Sequence, residues 1–198
     1  MGSRDIIVLS RKYVFELLSS KLPVDFSFHN VEHTQDVVKA AIEIARQCNF
    51  VPEQLEIVTL AAWFHDSGYT STYINHEDSS KRIAAEFLDG HDYPKECTDR
   101  VLSCIEATRF PQNPKTPEEK VLADADLYHF TKPDYPDYEQ RLRDEFEIYL
   151  GKTYTDMEWA ETNYALLKSH SYYTAYGKNI LQQFKEVNIE RLKVMLSK

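Results

Sequence analysis

Apolar residues recur at helical intervals through almost the whole chain. From Asp5 to Ser20, Ile6, Leu9, Tyr13, Leu17 and Leu18 fall at helical spacing, and Pro23 follows the end of the segment. A second helix is predicted after Asn30, a good N-cap, with Val31, Thr34, Val38, Ala41, Ile42, Ala45 and Cys48 in one stripe and His33 in the first turn. Pro52 opens a third, with Glu53 and Glu56 near its positive end. Its run IVTLAAWF leaves no polar face, so this helix should be central, and Gly68 is placed to end it.

Beyond a polar loop the same period continues. Asn75, with Asp78 three residues on as a reciprocal cap, predicts a fourth helix that buries Ile83, Ala84, Phe87 and Leu88 and ends at Gly90. A fifth begins near Pro94, buries Cys97, Val101, Cys104 and Ile105, and stops before Pro111; PQNPKTP then reads as a rigid, exposed loop. Thr116, Pro117 and Glu119 make a capping-box start for a sixth helix with Val121, Leu122, Ala125 and Tyr128 on its apolar side. Three more helices are predicted over 137–150, 156–170 and 174–196, the second starting on the capping pattern Thr155 to Glu158. The last is expected to turn Ile180, Leu181, Phe184, Val187, Leu192 and Met195 to the core and its lysines outward. Trp63 and Trp159 read as core walls, and Tyr172, Tyr173 and Tyr176 as core packing. The pattern predicts an all-α bundle of about eight or nine helices, a single domain over residues 1–198 without internal repeats.

Composition narrows the function more than the fold. The 23 Lys and Arg against 32 Asp and Glu give a net charge of -9, spread along the chain, which argues against a binder of nucleic acid polymers with a basic face. A small anion remains compatible, because a bound divalent cation reverses the local field. The three cysteines make no disulfide framework: Cys97 and Cys104, seven apart on one helix, sit ~10 Å apart along its axis. There is no apolar run long enough to span a bilayer, no leader with a small-residue cleavage site, and Ile6 stands where a myristoylation signal needs Ser or Thr. These features lead to the expectation of a soluble cytoplasmic protein with no membrane partner; a homodimer is compatible with them.

The candidate chemistry lies where the third helix runs out. LAAWFHDSGY, residues 60–69, carries an apolar run straight onto His65 and Asp66, and such groups are costly to bury unless paired, hydrogen-bonded or metal-bound. Collecting the other ligand types at helix ends or in apolar stripes adds His33 and either Asp124 or Asp126. Four nitrogen and carboxylate donors from three helices could hold one divalent cation of the Mn, Fe, Co, Ni or Zn group and leave positions for water and substrate.

FHNVEHT at 28–34, WFHDSGY at 63–69 and ADADLYHF at 123–130 together resemble the HD superfamily of metal-dependent phosphohydrolases, whose signature is a His, a His-Asp doublet and a distal Asp in that order; the likeness covers about 26–130. The resemblance implies a helical HD-type domain completed by the C-terminal helices 137–196, with His33, His65, Asp66 and Asp126 as metal ligands and Asp124 as the reserve. It implies hydrolysis of a phosphate ester or anhydride, of a nucleotide above all, by metal-activated water. HDSGYTST lacks the acids of the alarmone hydrolases, and CIEATRF has Thr108 and Arg109 where dinuclear members place a helix-borne His, so one metal is expected.

Beside Asp66, proton transfer could fall to Glu77, Asp78 or Glu32, close in sequence to the ligands, or to His76, which could instead bind a phosphate. Arg109, Lys81 and Lys132 are candidate phosphate clamps, Arg109 for its bidentate geometry. His29 should order the loop before the second helix and stand near the site without ligating. His91 reads as a surface turn residue, and His129 either as a support around the metal or as a cation at a helix C-terminus. Two other readings use the same pocket: a non-catalytic module that senses a nucleotide, and a diiron oxygenase, which the missing histidines disfavour.

Overall fold

A computed structural model describes residues 3–197. Among them there are nine α-helices and no strand: α1 (Ser3–Lys21), α2 (Val31–Gln47), α3 (Pro52–Phe64), α4 (His76–Asp89), α5 (Lys95–Glu106), α6 (Pro117–Asp126), α7 (Tyr135–Leu150), α8 (Asp156–Ser169) and α9 (Gln182–Leu196). Short 3-10 turns at Ser67–Thr70 and Tyr128–Thr131 and a π turn at Gly177–Leu181 join them. The all-α expectation holds. Among the described residues no helix is long and apolar enough to cross a membrane, and the three cysteines are free thiols.

The run that predicted a central helix produces one. Every residue from Ile57 to Phe64 is buried, and α1, α2, α5 and α6 pack around α3. Each fully buried Leu or Phe in that layer contributes about 1.5–3 kcal/mol of transfer free energy. A second, smaller cluster of Phe130, Tyr135, Ala160, Leu167, Ile189 and Leu192 joins α8 and α9 to the turn after α6. Tyr172 and Leu181 reach from that side into the main core. Trp63 and Trp159 are both buried. Of the tyrosine cluster only Tyr172 is fully enclosed, while Tyr173 and Tyr176 are half-buried.

Four local expectations are corrected. In α1 the buried line is Ile6, Ser10, Val14 and Leu18, while Tyr13 lies over the ring of Phe87 at 4.8 Å and stays partly exposed. Helix α3 ends at Phe64, not Gly68, which sits inside the following 3-10 turn. At Asn75 the backbone is left-handed (φ 56°) and the side chain caps nothing; Asp78 turns to Lys81 and Arg109 instead.

The fourth correction is the largest. Helix α9 buries Lys185, Asn188, Ile189 and Leu192 and leaves Phe184, Val187 and Met195 exposed, as is Ile180 in the π turn before it. Leu181 and Leu192 are buried as expected, and from Leu181 onward the enclosed positions recur at regular helical spacing through Lys185, Asn188, Ile189 and Leu192. Lys185, expected outside, is enclosed; its ammonium donates to the His170 carbonyl (2.6 Å) and lies 5.2 Å over the Tyr172 ring. Burial lowers its pKa to about 8.

Candidate metal centre

Local capping places the first imidazole. Asn30 takes extended backbone, its Oδ1 accepts from the amides of Glu32 (2.9 Å) and His33 (3.2 Å), and its Nδ2 donates to the Ser27 carbonyl (2.9 Å). Both ends of that side chain are therefore used, which fixes where α2 starts and so where His33 points. His65 follows the last turn of α3, and its Nδ1–H donates to the Ala62 carbonyl at 2.9 Å. That bond selects the tautomer whose Nε2 carries a lone pair.

His33 Nε2 lies 3.3 Å from Asp66 Oδ2 and 3.5 Å from Asp126 Oδ1, and His65 Nε2 lies 3.1 Å and 3.6 Å from the same two oxygens. All three side chains of the His33, His65 and Asp66 group are buried, with ligand atoms within 4.8 Å of one another. His33 Nε2, His65 Nε2 and Asp66 Oδ2 lack any hydrogen-bond partner. Three enclosed polar atoms converging without partners are costly to leave so, and nitrogen and carboxylate donors suit a divalent transition metal. The residues fit the cation that the pattern implies.

Charge points the same way. Burial opposes a charged Asp66, but the His65, His33 and His76 imidazoles outweigh it and hold the carboxyl well below the usual range. Asp126 is lowered similarly, burial being overcome by His33 and His65. Burial likewise opposes protonation of His65, yet Asp66 and Asp126 raise its pKa well above the ordinary value, and His33 is raised by the same two carboxylates. Two carboxylates thus stay anionic and attract whatever cation can reach the imidazole nitrogens.

The two aspartates of ADAD divide. Asp126 faces the imidazoles, and its other oxygen accepts from Gln112 Nε2 at 3.3 Å. Asp124 turns away, enclosed, and accepts from the amides of Tyr173 (2.8 Å) and Thr174 (2.9 Å) and from the Thr174 hydroxyl (2.7 Å). It ties the segment after α8 to α6. His129 caps the end of α6 through a bond from Nδ1 to the Asp126 carbonyl (3.1 Å), with burial lowering its pKa to about 3. It is therefore neutral, and the cationic helix-end reading does not apply.

His76 has its Nε2 3.3 Å from Asp66 Oδ1. Gly68 makes that approach feasible: a Cβ there would lie 1.9 Å from the His76 carbonyl, and the Gly68 amide donates to Ser80 Oγ at 2.8 Å. Tyr69 is stacked between two imidazoles, His76 at 3.8 Å and His29 at 4.3 Å. Glu77 is buried, 3.9 Å from His76 Nδ1 and 3.0 Å from Arg109 Nη1. Glu32, by contrast, is exposed and paired with Arg141, and Asp78 is exposed beside Arg109.

All three candidate clamps are occupied by protein carboxylates. Arg109 binds Glu106 (2.6 Å) and Asp78 (2.9 Å) as well as Glu77, and holds Glu106 down to about 2. Lys81 binds Glu106 (2.5 Å) and Asp78 (2.9 Å). Lys132 binds Asp36 and the Tyr138 hydroxyl (2.7 Å), in a small pocket that also touches His33, Asp126 and His129. His91 bonds the Phe87 carbonyl at the end of α4, away from the cluster.

Two residues here carried no sequence signal. Glu145, fully buried in α7, accepts from the amides of Phe28 (2.6 Å) and His29 (2.8 Å), from His29 Nδ1 (2.6 Å) and from the Tyr73 hydroxyl (3.3 Å). One carboxylate thus organises the loop before α2 and fixes the His29 tautomer from 116 residues away. Gln112 is the other; in a proline-rich loop its role as a partner of Asp126 has no periodicity to betray it.

The sequence model of the HD domain matches residues 30–131, so the chain belongs to the HD domain family. Solved structures repeat the architecture over nearly the whole chain. The Lin1889 protein from Listeria innocua is 18% identical, covers 100% of this chain and 97% of its own, and gives a TM-score of 0.69. Bacillus subtilis YpgQ in complex with ADP is 18% identical over 100% and 96% with a TM-score of 0.67. A predicted HD superfamily hydrolase from an uncultured Thermotogales bacterium is 16% identical over 94% and 91% with a TM-score of 0.63. At such identities the likeness establishes the fold. No curated protein matches the sequence significantly.

Proposed function

We propose that this HD-domain protein hydrolyses a phosphate ester or anhydride of a nucleotide, using water activated at a single divalent cation held by His33, His65, Asp66 and Asp126. The observation that carries the reading is the set of three enclosed, unpartnered donor atoms on His33, His65 and Asp66, with a carboxylate oxygen of Asp126 within 3.6 Å of both imidazoles. A cation bound there would lower the pKa of a bound water and polarise a phosphoryl oxygen. The ADP bound by YpgQ supports a nucleotide as the substrate class.

The chain's own groups supply the remainder. His76, whose Nε2 lies 3.3 Å from the second oxygen of Asp66, would hold or pass a proton there. His29 has Nδ1 committed to Glu145, which leaves Nε2 for proton exchange; its ring lies 5.8 Å from that of His33. Glu77 orients both His76 and Arg109. Arg109, Lys81 and Lys132 would each have to trade a carboxylate for a substrate phosphate, which makes phosphate binding an exchange of ion pairs rather than capture by free cations.

The assay compares wild type with His65→Ala and Asp126→Ala for metal by mass spectrometry and for phosphate release from a nucleotide panel. About one equivalent of metal and turnover in wild type, both lost in the variants, is the expected result; equal metal and turnover in all three overturns the proposal. Because every candidate clamp is already paired, a nucleotide-sensing module is the second reading. Saturable nucleotide binding without turnover under any of the five metals would select it.

A further inference from the structure

The loop between α5 and α6 touches the metal centre at two points. At one, Arg109 Nη1 donates to Glu77 Oε2 (3.0 Å) and to Asn75 Oδ1 (3.4 Å), next to His76. At the other, Gln112 Nε2 donates to Asp126 Oδ2 and to the Ala123 carbonyl, each at 3.3 Å. A third element holds the loop from outside, since the Tyr173 hydroxyl donates to the Gln112 carbonyl at 3.0 Å.

Phe110 lies between these anchors, and 71% of its surface faces solvent. Ile74, beside Asn75 across the Arg109 bond, is 64% exposed. A phenyl group is among the side chains that folding normally encloses, and here the segment on either side of it is pinned to the two edges of the site. Phe110 directly follows Arg109, which bonds Glu77, and stands two residues before Gln112, which bonds the Asp126 carboxylate. A solvent-facing aromatic ring on a segment anchored at both edges of the site offers a face on which a flat ligand can stack.

We propose that Phe110 is the stacking residue for the base of the nucleotide whose phosphates lie at the metal ligands, with Ile74 as the facing apolar edge. This rests on the nucleotide reading above and adds a position and a selectivity to it. Stacking on a benzene ring is tolerant of base identity, because every base offers a π face and Phe110 has no polar atom with which to read an edge. The site therefore separates nucleotides from base-free phosphates and discriminates weakly among bases.

The test uses full-length protein carrying the metal retained on purification, and two non-hydrolysable probes, α,β-methylene ADP and methylenebisphosphonate, titrated calorimetrically. In Phe110→Ala the nucleotide analogue should bind about tenfold more weakly, with the bisphosphonate unchanged, and Phe110→Trp should restore the wild-type value. Unaltered binding of the nucleotide analogue in Phe110→Ala, or equal loss for both probes, overturns the stacking role and leaves the nucleotide reading standing. Failure of wild type to prefer the nucleotide analogue over the bisphosphonate overturns both. The substitution is on an exposed ring, and an unchanged thermal midpoint shows that the variant is folded.

Discussion

At the scale of single residues, the centre depends on bonds that aim side chains rather than on the ligands alone. Asn30 sets the first turn of α2, the Ala62 carbonyl chooses the His65 tautomer, and Gln112 steadies Asp126. The same electrostatics predict how metal binding responds to acid. His33 and His65 are raised above the ordinary imidazole value, so protons occupy their Nε2 atoms at a higher pH than in a free histidine and compete with a cation there. Affinity should be greatest at mildly alkaline pH and fall as pH drops through neutrality, by about tenfold per pH unit for each proton taken up. Titration of the metal-free protein with Zn or Mn across this range measures it; a flat profile would mean that these imidazoles are not ligands.

At the scale of elements, the positions that matter are the ones where helices stop being regular. The 3-10 turn after α3 presses on the start of α4 through Gly68, and no other residue fits, since a Cβ would meet the backbone of His76 and Ser80 at 1.9 and 2.7 Å. Gly68→Ala should cost about 1–3 kcal/mol and displace His76 from Asp66. Chemical denaturation would show the first effect. The second predicts that turnover falls while metal content stays at the wild-type level, since none of the four proposed ligands is on α4; loss of metal and turnover in parallel would refute that separation. Gly177 has a matching role in the π turn, where an added Cβ would sit 2.4 Å from Asp124 Oδ2 and 2.6 Å from Tyr172 Cβ. Most helix starts were readable: Thr116 and Thr155 cap as their patterns predict, while Asn75 does not. The face of α9 was not, because its enclosed side includes Lys185 and Asn188, whose side chains bond the carbonyls of His170 and Phe130, contacts that apolar spacing does not mark.

At the scale of the whole molecule, the centre sits where the main core meets the C-terminal helices. The proposed ligands come from α2, the end of α3 and α6, while α7 contributes Glu145 to the loop before His33. A cation held by groups that are dispersed in the unfolded chain binds the folded state alone, so it should stabilise the protein by about 2.7 kcal/mol when present at a hundredfold over its dissociation constant. For a chain of this length that corresponds to a rise of roughly 5–10 °C in thermal midpoint. Differential scanning calorimetry with and without chelator should show the rise in wild type and its disappearance in Asp126→Ala; an equal rise in both would place the metal elsewhere.

By itself the sequence determined the helical class, the central place of α3, most helix starts and the identity of the donor types, because apolar period, capping chemistry and burial cost are local properties of the chain. It determined the order His33, His65-Asp66 and distal Asp for the same reason. The resemblance pointed to Asp126 with Asp124 in reserve, and the tertiary structure adds the physical reason: Asp126 faces the two imidazoles, while Asp124 is taken up by the backbone of residues 173 and 174. Only the tertiary structure decided that Glu145 and Gln112 serve the site, that Arg109, Lys81 and Lys132 are already paired, and that Lys185 is enclosed. Each of these is a contact between segments distant in the chain, and no periodicity within a segment encodes what it will face.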